Sequence, residues 1–304
     1  MRITFMGTPE FAVPSLRLLA ERHEVTLVVT RPDAPRQRGK RLVPSPVKAA
    51  ALELGIPVLE TTRMTPEALD RVRAERPDVI AVAAYGCILP DALLEMAPLG
   101  CVNVHGSLLP RWRGAAPIQR AVLAGDERVG ISIMRIVHEL DAGAYCRQAS
   151  VEVGDKGCAQ VMDELAVLGA RELVAALDDM EAGTAIWVEQ DPSQVTYAAK
   201  VEKAEMRLVP GDSALSNLRR VRASTDAAPA RLLLDDKGVR ALAAMLSDAD
   251  VAAGTALVRR GRVLLGCADG ALELVRVKPD GKREMEASAW AAGLRGKEFC
   301  WTEA

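Results

Sequence analysis

The sequence predicts an α/β protein, with a mainly parallel sheet covered by helices on both faces and a smaller C-terminal β-barrel. Three observations carry this. Over the first two-thirds, apolar strand-like runs alternate with helical patterns, the rhythm of βαβ units. Residues 78–84 form an unbroken apolar run, as in a strand buried on both faces. After about residue 188 the rhythm gives way to short strand candidates separated by Asp/Gly turns, the pattern of a small barrel. At 304 residues the chain can hold two domains, each with its own core.

The elements follow in order. Residues 2–6 read as an apolar strand, 9–22 as a helix and 24–30 as a β-branched strand. A helix at 46–54, a brief strand at 57–60 and a polar-faced helix at 65–75 precede the buried strand 78–84. The alternating strand 101–105 follows, then a helix from about Ala115 and strands at 129–136 and 145–153. Residues 159–178 read as a helix, with Val161, Leu165, Leu168, Leu173 and Leu177 near helical spacing. Residues 189–208 read as a linker. A helix near 212–222 then leads to strand candidates at 230–234, 255–258, 262–268 and 271–278, while 239–246 suits a strand or a short helix. The expected domains are therefore 1–188 and 209–304. The first strand ends in Gly7-Thr8-Pro9-Glu10 and not G-x-G-x-x-G, so a Rossmann-like layering is expected without a dinucleotide.

Composition narrows the class. No apolar run approaches a membrane span, and the N-terminal strand is too short for a secretory signal, so a cytoplasmic protein without membrane contact is expected. None of the six cysteines is paired as Cys-x-x-Cys. Cys101 and His105 share a strand face without a second ligand pair, so no metal is expected and the thiols should be reduced and mostly buried. The net charge is −2, divided as −5 over residues 1–206 and +3 over 207–304. Within the acidic part, residues 31–48 carry Arg31, Arg36, Arg38, Lys40, Arg41 and Lys48 against only Asp33. Such runs are often mere solvated surface, but this density points to a polyanion contact.

The chemistry concentrates at the end of strand 101–105. A side-chain period of two puts Asn103 and His105 on one face, and Gly106 ends the strand. An amide and an imidazole at a strand exit can both donate to one developing oxyanion, a tool of acyl transfer. Asp141 is the third candidate. If it reaches the same carboxyl edge, it can keep His105 protonated and accept a proton; locally, an Asx-turn suits Asp-Ala-Gly equally well.

At this point the chain resembles the methionyl-tRNA formyltransferase family of the folate-dependent formyltransferase superfamily. The resemblance is carried by Gly7-Thr8-Pro9-Glu10-Phe11-Ala12, by Arg38-Gly39-Lys40-Arg41-Leu42-Val43-Pro44-Ser45-Pro46-Val47-Lys48, and by Ala84-Tyr85-Gly86-Cys87-Ile88-Leu89-Pro90. To these add Asn103-Val104-His105-Gly106-Ser107-Leu108-Leu109-Pro110 with its extension to Gln119, and Leu140-Asp141-Ala142-Gly143. The resemblance implies formyl transfer from 10-formyltetrahydrofolate to the α-amino group of methionine on initiator tRNA, with Asn103, His105 and Asp141 as the catalytic set. It implies a folate site at Ser107, Leu108, Leu109, Pro110 and at Tyr85, Gly86, Ile88 and Leu89. It implies that Arg38 reaches the acceptor end of the tRNA and that Lys40, Arg41 and Lys48 hold nearby phosphates; Arg36 is expected among the tRNA contacts, although Arg36 and Gln37 replace smaller residues of the family's loop. It also implies an OB-like C-terminal barrel that contacts tRNA; a monomer is expected. The chain departs from the family pattern at 205–210 and 226–230, and Ala142 stands where many relatives carry Thr. Formyl transfer to an amino sugar or glycinamide ribonucleotide, or hydrolysis of the same folate, would need the trio but not the basic loop. A tRNA binder without catalysis would need no trio.

Overall fold

The computed structural model describes residues 1–35, 42–294 and 296–304. The chain divides into two compact units. The first comprises Met1–Pro117, Arg128–Val151 and Met162–Ala198, and the second Ile118–Glu127, Glu152–Val161 and Ala199–Ala304.

In chain order the first two-thirds hold β1 (Arg2–Gly7), α1 (Val13–Arg22), β2 (Glu24–Thr30), β3 (Ala34–Pro35), β4 (Leu42–Val43) and α2 (Pro46–Glu53). They continue with β5 (Val58–Glu60), α3 (Pro66–Ala74), β6 (Val79–Ala83), α4 (Asp91–Leu94) and β7 (Cys101–His105). Then come α5 (Pro117–Ala124), β8 (Arg128–Arg135), β9 (Tyr145–Glu152) and α6 (Cys158–Glu181). Helix starts follow local chemistry. Ser45 and Thr65 cap α2 and α3 by accepting from Lys48 N–H and Ala68 N–H, and each helix carries proline in its first turn.

The first sheet has the order β5-β2-β1-β6-β7-β8-β9. Its pairs from β5 to β7 are parallel, as the alternating pattern predicts. β6 is buried at all five positions. One face packs Met6, Leu27, Val29, Val72, Ile80, Val82 and Leu93 into a common core. β8 departs from this order by running antiparallel to β7, with His105 opposite Ser132 and Val102 opposite Arg135. The segment after β8 therefore begins beside the start of β7, Ile136 N–H donating to Cys101 O, and not at the carboxyl edge that a wholly parallel sheet would give.

The second unit contains α7 (Ala214–Arg222), β10 (Arg231–Leu234), β11 (Lys237–Ser247), β12 (Thr255–Arg259), β13 (Arg262–Cys267), β14 (Gly270–Pro279), β15 (Met285–Glu286), α8 (Ala287–Ala292) and β16 (Glu298–Glu303). Strands β11-β10-β16-β12-β13-β14 follow one another, and β14 pairs back onto β11, closing a six-stranded antiparallel barrel. The ambiguous stretch 239–246 is strand, bent by register shifts between Ala241 and Ala244. β16, unread in the sequence, bridges β10 and β12 and is indispensable for closure.

Trp301 on β16 is fully buried in the barrel core, and its indole N–H donates to Gly266 O at 2.9 Å. Trp301→Ala is expected to destabilise the barrel by about 3–5 kcal/mol, read as a lower urea midpoint for the second unit. A shift below about 1 kcal/mol would show that the indole is not its keystone.

Candidate active site

β7 ends in the two residues that the sequence singles out. Val102 and Val104 are buried on one side, while Asn103 and His105 emerge on the other. His105 is 5% exposed. Its Nε2 lies 3.0 Å from Trp112 O, and its Nδ1 lies 3.7 Å from Asp141 Oδ2. Asp141 is thus brought to His105 although β8 runs antiparallel to β7 and does not deliver it to the carboxyl edge directly. Residues 136–141 start at the far end of β7, and the Asp141 carboxylate still reaches the imidazole. Its Oδ2 also accepts from Gly114 N–H at 2.9 Å. Among the described residues the Asn103 side-chain amide has no hydrogen-bond partner, so its donors are uncommitted.

Electrostatics at His105 run in two directions. Both ring nitrogens face oxygen acceptors, an arrangement that suits the imidazolium. Burial opposes it and is the larger influence, placing the pKa below the ordinary histidine value; Asp141 and the Trp112 carbonyl pull it back, and Arg113 pushes it further down. The resting ring is therefore neutral near pH 7, where the sequence reading expects it protonated.

The turn after β7 is pinned by residues that the sequence reading passed over. Ser132 on β8 donates to Ser107 O at 2.7 Å and accepts Leu109 N–H at 3.0 Å. Gln148 on β9 donates to both Ser132 Oγ and Leu109 O, so every polar atom of the serine is satisfied. Leu108 lies so close to Gly130 that a Cβ there would fall 2.5 Å from its side chain and from Ala149 O. A lone serine in an otherwise apolar strand, Val129-Gly130-Ile131-Ser132-Ile133, is the signal that could have drawn attention to it.

The other expected folate residues divide. The Tyr85 ring is core, 2% exposed, its hydroxyl donating to Thr61 O at 3.4 Å, and burial raises its pKa. Leu89 packs against the same core. Ala84 and Gly86 both adopt left-handed backbone, turning the chain out of β6. Ile88 is 93% exposed and Leu140, beside Asp141, 64%. His138 Nδ1 lies 3.4 Å from Asp91 Oδ1, tying the segment that carries Leu140 to the one that follows Ile88. A separate cavity of about 590 Å³ opens at the start of β7, lined by Leu94, Cys101, Arg135, Ile136, Met180 and Trp187. Four residue steps along β7, from Cys101 to His105, separate it from the imidazole, a span of roughly 13 Å.

Of the expected tRNA residues, Arg36, Arg38, Lys40 and Arg41 lie outside the described residues. Lys48 is described, and its Nζ is held by Asp33 at 2.8 Å and Glu60 at 2.6 Å. All six cysteines are free thiols, three of them buried. Among the described residues no helix is long and apolar enough to cross a membrane.

Comparison with known proteins settles the family. The formyl transferase model matches residues 1–177, and the formyl transferase C-terminal domain model matches 200–295. A methionyl-tRNA formyltransferase from Methylococcus capsulatus is 45% identical over 98% of this chain and 99% of its own length. The chain belongs to the methionyl-tRNA formyltransferase family. A member from Salinispora arenicola is 43% identical over 97% of both chains. Solved structures share the fold: HypX from Aquifex aeolicus in complex with tetrahydrofolic acid has a TM-score of 0.64 at 18% identity, over 95% of this chain and 46% of that one. The methionyl-tRNA formyltransferase of Clostridium thermocellum has a TM-score of 0.59 at 12% identity, over 82% and 95%.

The pH dependence of stability follows from two buried imidazoles in this family member. Burial lowers the pKa of His23 as well as of His105. Folded values below the unfolded value of about 6.5 mean that the unfolded chain binds more protons below that pH. The stabilisation is complete above about pH 6.5 and is lost as pH falls through the depressed values. Replacing both by Gln is expected to flatten the acid limb of a plot of urea midpoint against pH. An unchanged limb would place the acid sensitivity elsewhere.

Proposed function

We propose that this protein transfers the formyl group of 10-formyltetrahydrofolate to the α-amino group of methionine esterified to initiator tRNA, with Asn103, His105 and Asp141 at the reacting atoms. The observation that carries this reading is a buried His105 beside Asp141, with the uncommitted Asn103 amide on the same strand face. Attack of the amine on the formyl carbon moves the carbonyl electron pair onto oxygen. The uncommitted Asn103 amide donates to that oxyanion, and the His105 Nε2–H joins it by exchanging the Trp112 carbonyl for the new anion, which also raises the proton affinity of the neutral ring. The proton released from the attacking nitrogen passes to the Asp141–His105 pair and is returned to the leaving folate nitrogen as the C–N bond breaks.

Exposed Ile88 and Leu140 offer apolar contact for the planar end of the folate, and the Ser132-pinned turn 107–110 presents backbone groups to it. The division at 1–188 and 209–304 gives the first part the chemistry and the second a supporting tRNA contact. Arg36, Arg38, Lys40 and Arg41 supply the phosphate and acceptor-end contacts. Lys48 adds less, because Asp33 and Glu60 already take its charge.

A formyl-transfer assay with methionylated initiator tRNA, run beside elongator methionyl-tRNA, tests this directly. Transfer confined to the initiator is expected. Formate release without formyl-methionyl product would move the activity to hydrolysis or a smaller acceptor. Asn103→Ala should lower kcat about 100- to 1,000-fold by removing one oxyanion donor, and His105→Ala should abolish transfer with tRNA affinity unchanged. Near-normal turnover of either variant would refute the assigned role. Arg38→Ala should narrow the preference for initiator over elongator tRNA; unchanged discrimination would remove Arg38 from that role.

A further inference from the structure

Two buried polar side chains lie behind the trio and take no part in the proposed chemistry. Arg113 and Gln190 are 6% and 9% exposed. The Gln190 carboxamide is fully engaged. Its Nε2 donates to Asp141 O and to Gly143 O, both at 2.8 Å, and its Oε1 accepts from Arg113 Nε at 2.9 Å. Reversing the amide would set an NH₂ against a guanidinium and an oxygen against two carbonyls, so the orientation is unambiguous. Arg113 also donates from Nη1 to Glu139 at 3.2 Å, two residues before Asp141.

The backbone explains what this bridge restrains. Asp141 sits at φ +49°, in the left-handed region that non-glycine residues avoid. Two residues on, a Cβ at Gly143 would fall 2.1 Å from Arg135 O, so the turn is pressed against the end of β8. The same bridge reaches the other side of the site. Arg113 N–H donates to Thr196 O, Ala198 N–H to Arg113 O, and Trp112 N–H to Thr196 Oγ1, all between 2.7 and 2.9 Å. Residues 190–198 thus fix residues 112–114, whose Trp112 O meets His105 and whose Gly114 N–H meets Asp141.

We infer that Gln190 is a positioning residue for formyl transfer, its carboxamide holding the strained Asp141 turn so that the carboxylate faces His105. The inference rests on the formyl-transfer reading, which turnover of the unmodified protein reports separately in the same assay. Gln190→Glu is the sharpest probe. It keeps the side-chain length and the acceptor for Arg113 but turns both donors into acceptors facing carbonyl oxygens. The turn can then relax from its left-handed backbone, and displacement of a catalytic group by about 1 Å costs roughly 100-fold in rate.

The expected result is a fall in kcat of about 10- to 100-fold, with KM for the folate and for the tRNA within about twofold. The acid limb of the kcat profile should shift as well, because His105 loses its fixed carboxylate neighbour. A purely structural role predicts instead a loss in proportion to unfolded protein and an unmoved pH profile. The cycle with Asp141→Asn separates the two further: in that background Gln190→Glu should cost almost nothing if it acts through Asp141, and its full amount if it does not. Should Gln190→Glu fail to fold, Arg113→Lys keeps the positive charge while removing the Nε donor that orients the carboxamide, and a smaller kcat loss with the same pH shift is expected. Normal kcat and pH profile in the folded variants, or additive losses in the cycle, would overturn the inference.

Discussion

Keeping a carboxylate and an imidazole together out of water is the constraint on which the first unit is organised. A largely buried charge is tolerated only when its lone pairs are met. The Asp141 carboxylate is 17% exposed and is answered by Gly114 N–H and the His105 ring. Each partner then needs its own support. The Gly114 amide is aimed by a stretch whose neighbours pair with 196–198, and the imidazole is fixed at its other nitrogen by Trp112 O. The left-handed backbone at Asp141, the missing side chain at Gly143 and the bridging carboxamide of Gln190 are consequences of placing one carboxylate oxygen correctly.

The legible parts of the sequence are those with local causes. β1, β2, β6, β7 and α6 are written in periodicity, and Asn103 and His105 in a two-residue spacing before a glycine. What the sequence hides is long-range. That β8 reverses direction is invisible in its apolar residues, because a buried strand reads alike in either sense. A parallel β8 would bring Asp141 to the carboxyl edge of β7; with β8 reversed, residues 136–141 carry it back along β7 to His105 instead. Gln190 and residues 194–198 look like linker because their hydrogen bonds go to residues 47 to 84 or so positions earlier, and no local pattern records that. β16 was missed for a related reason: Phe299-Cys300-Trp301 is too short to carry a period, and its partners are β10 and β12. His23 stands among charges in sequence, yet its side chain is 4% exposed and its Nε2 lies 3.7 Å from Asp178 on α6, much later in the chain, which no local pattern records.

Charge was legible as a count but not as a distribution. The six cations of 31–48 stand near one acid in sequence, but folding brings Glu60 to the same place, and Lys48 is held between Glu60 and Asp33. A lysine so held gains little from a phosphate, since an incoming anion must displace carboxylates already at hydrogen-bond distance. Lys48 is better understood as a fastening between α2, β5 and the start of the basic segment. On the proposed reading, the attraction for a polyanion then falls to the other cations of the segment, Arg31, Arg36, Arg38, Lys40 and Arg41. The second unit is similar: Arg207, Arg231, Arg240 and Arg262 are each paired with an acid, so its positive charge is less available than its number of basic residues suggests.

The depressed pKa of His105 bears on why the trio has three members. A permanently protonated histidine would be the stronger electrostatic donor, but it could not take up the proton that the attacking amine must lose. A neutral ring without a carboxylate would accept that proton poorly in a buried site, where desolvation opposes the cation. Burial and Asp141 act on the ring in opposite senses, and Arg113 adds to burial. The balance leaves His105 neutral at rest, and in the proposed mechanism a developing oxyanion would act on the ring in the same sense as Asp141, raising its proton affinity, so that one group could serve both as hydrogen-bond donor and as proton carrier. That balance depends on a separation of 3.7 Å between Nδ1 and Oδ2, and Coulomb energies at such a range change steeply with small displacements in a poorly solvated site. In the proposed mechanism, the turn that sets this distance would therefore matter as much as the residues assigned to the chemistry, although none of its supporting side chains would touch the reacting atoms.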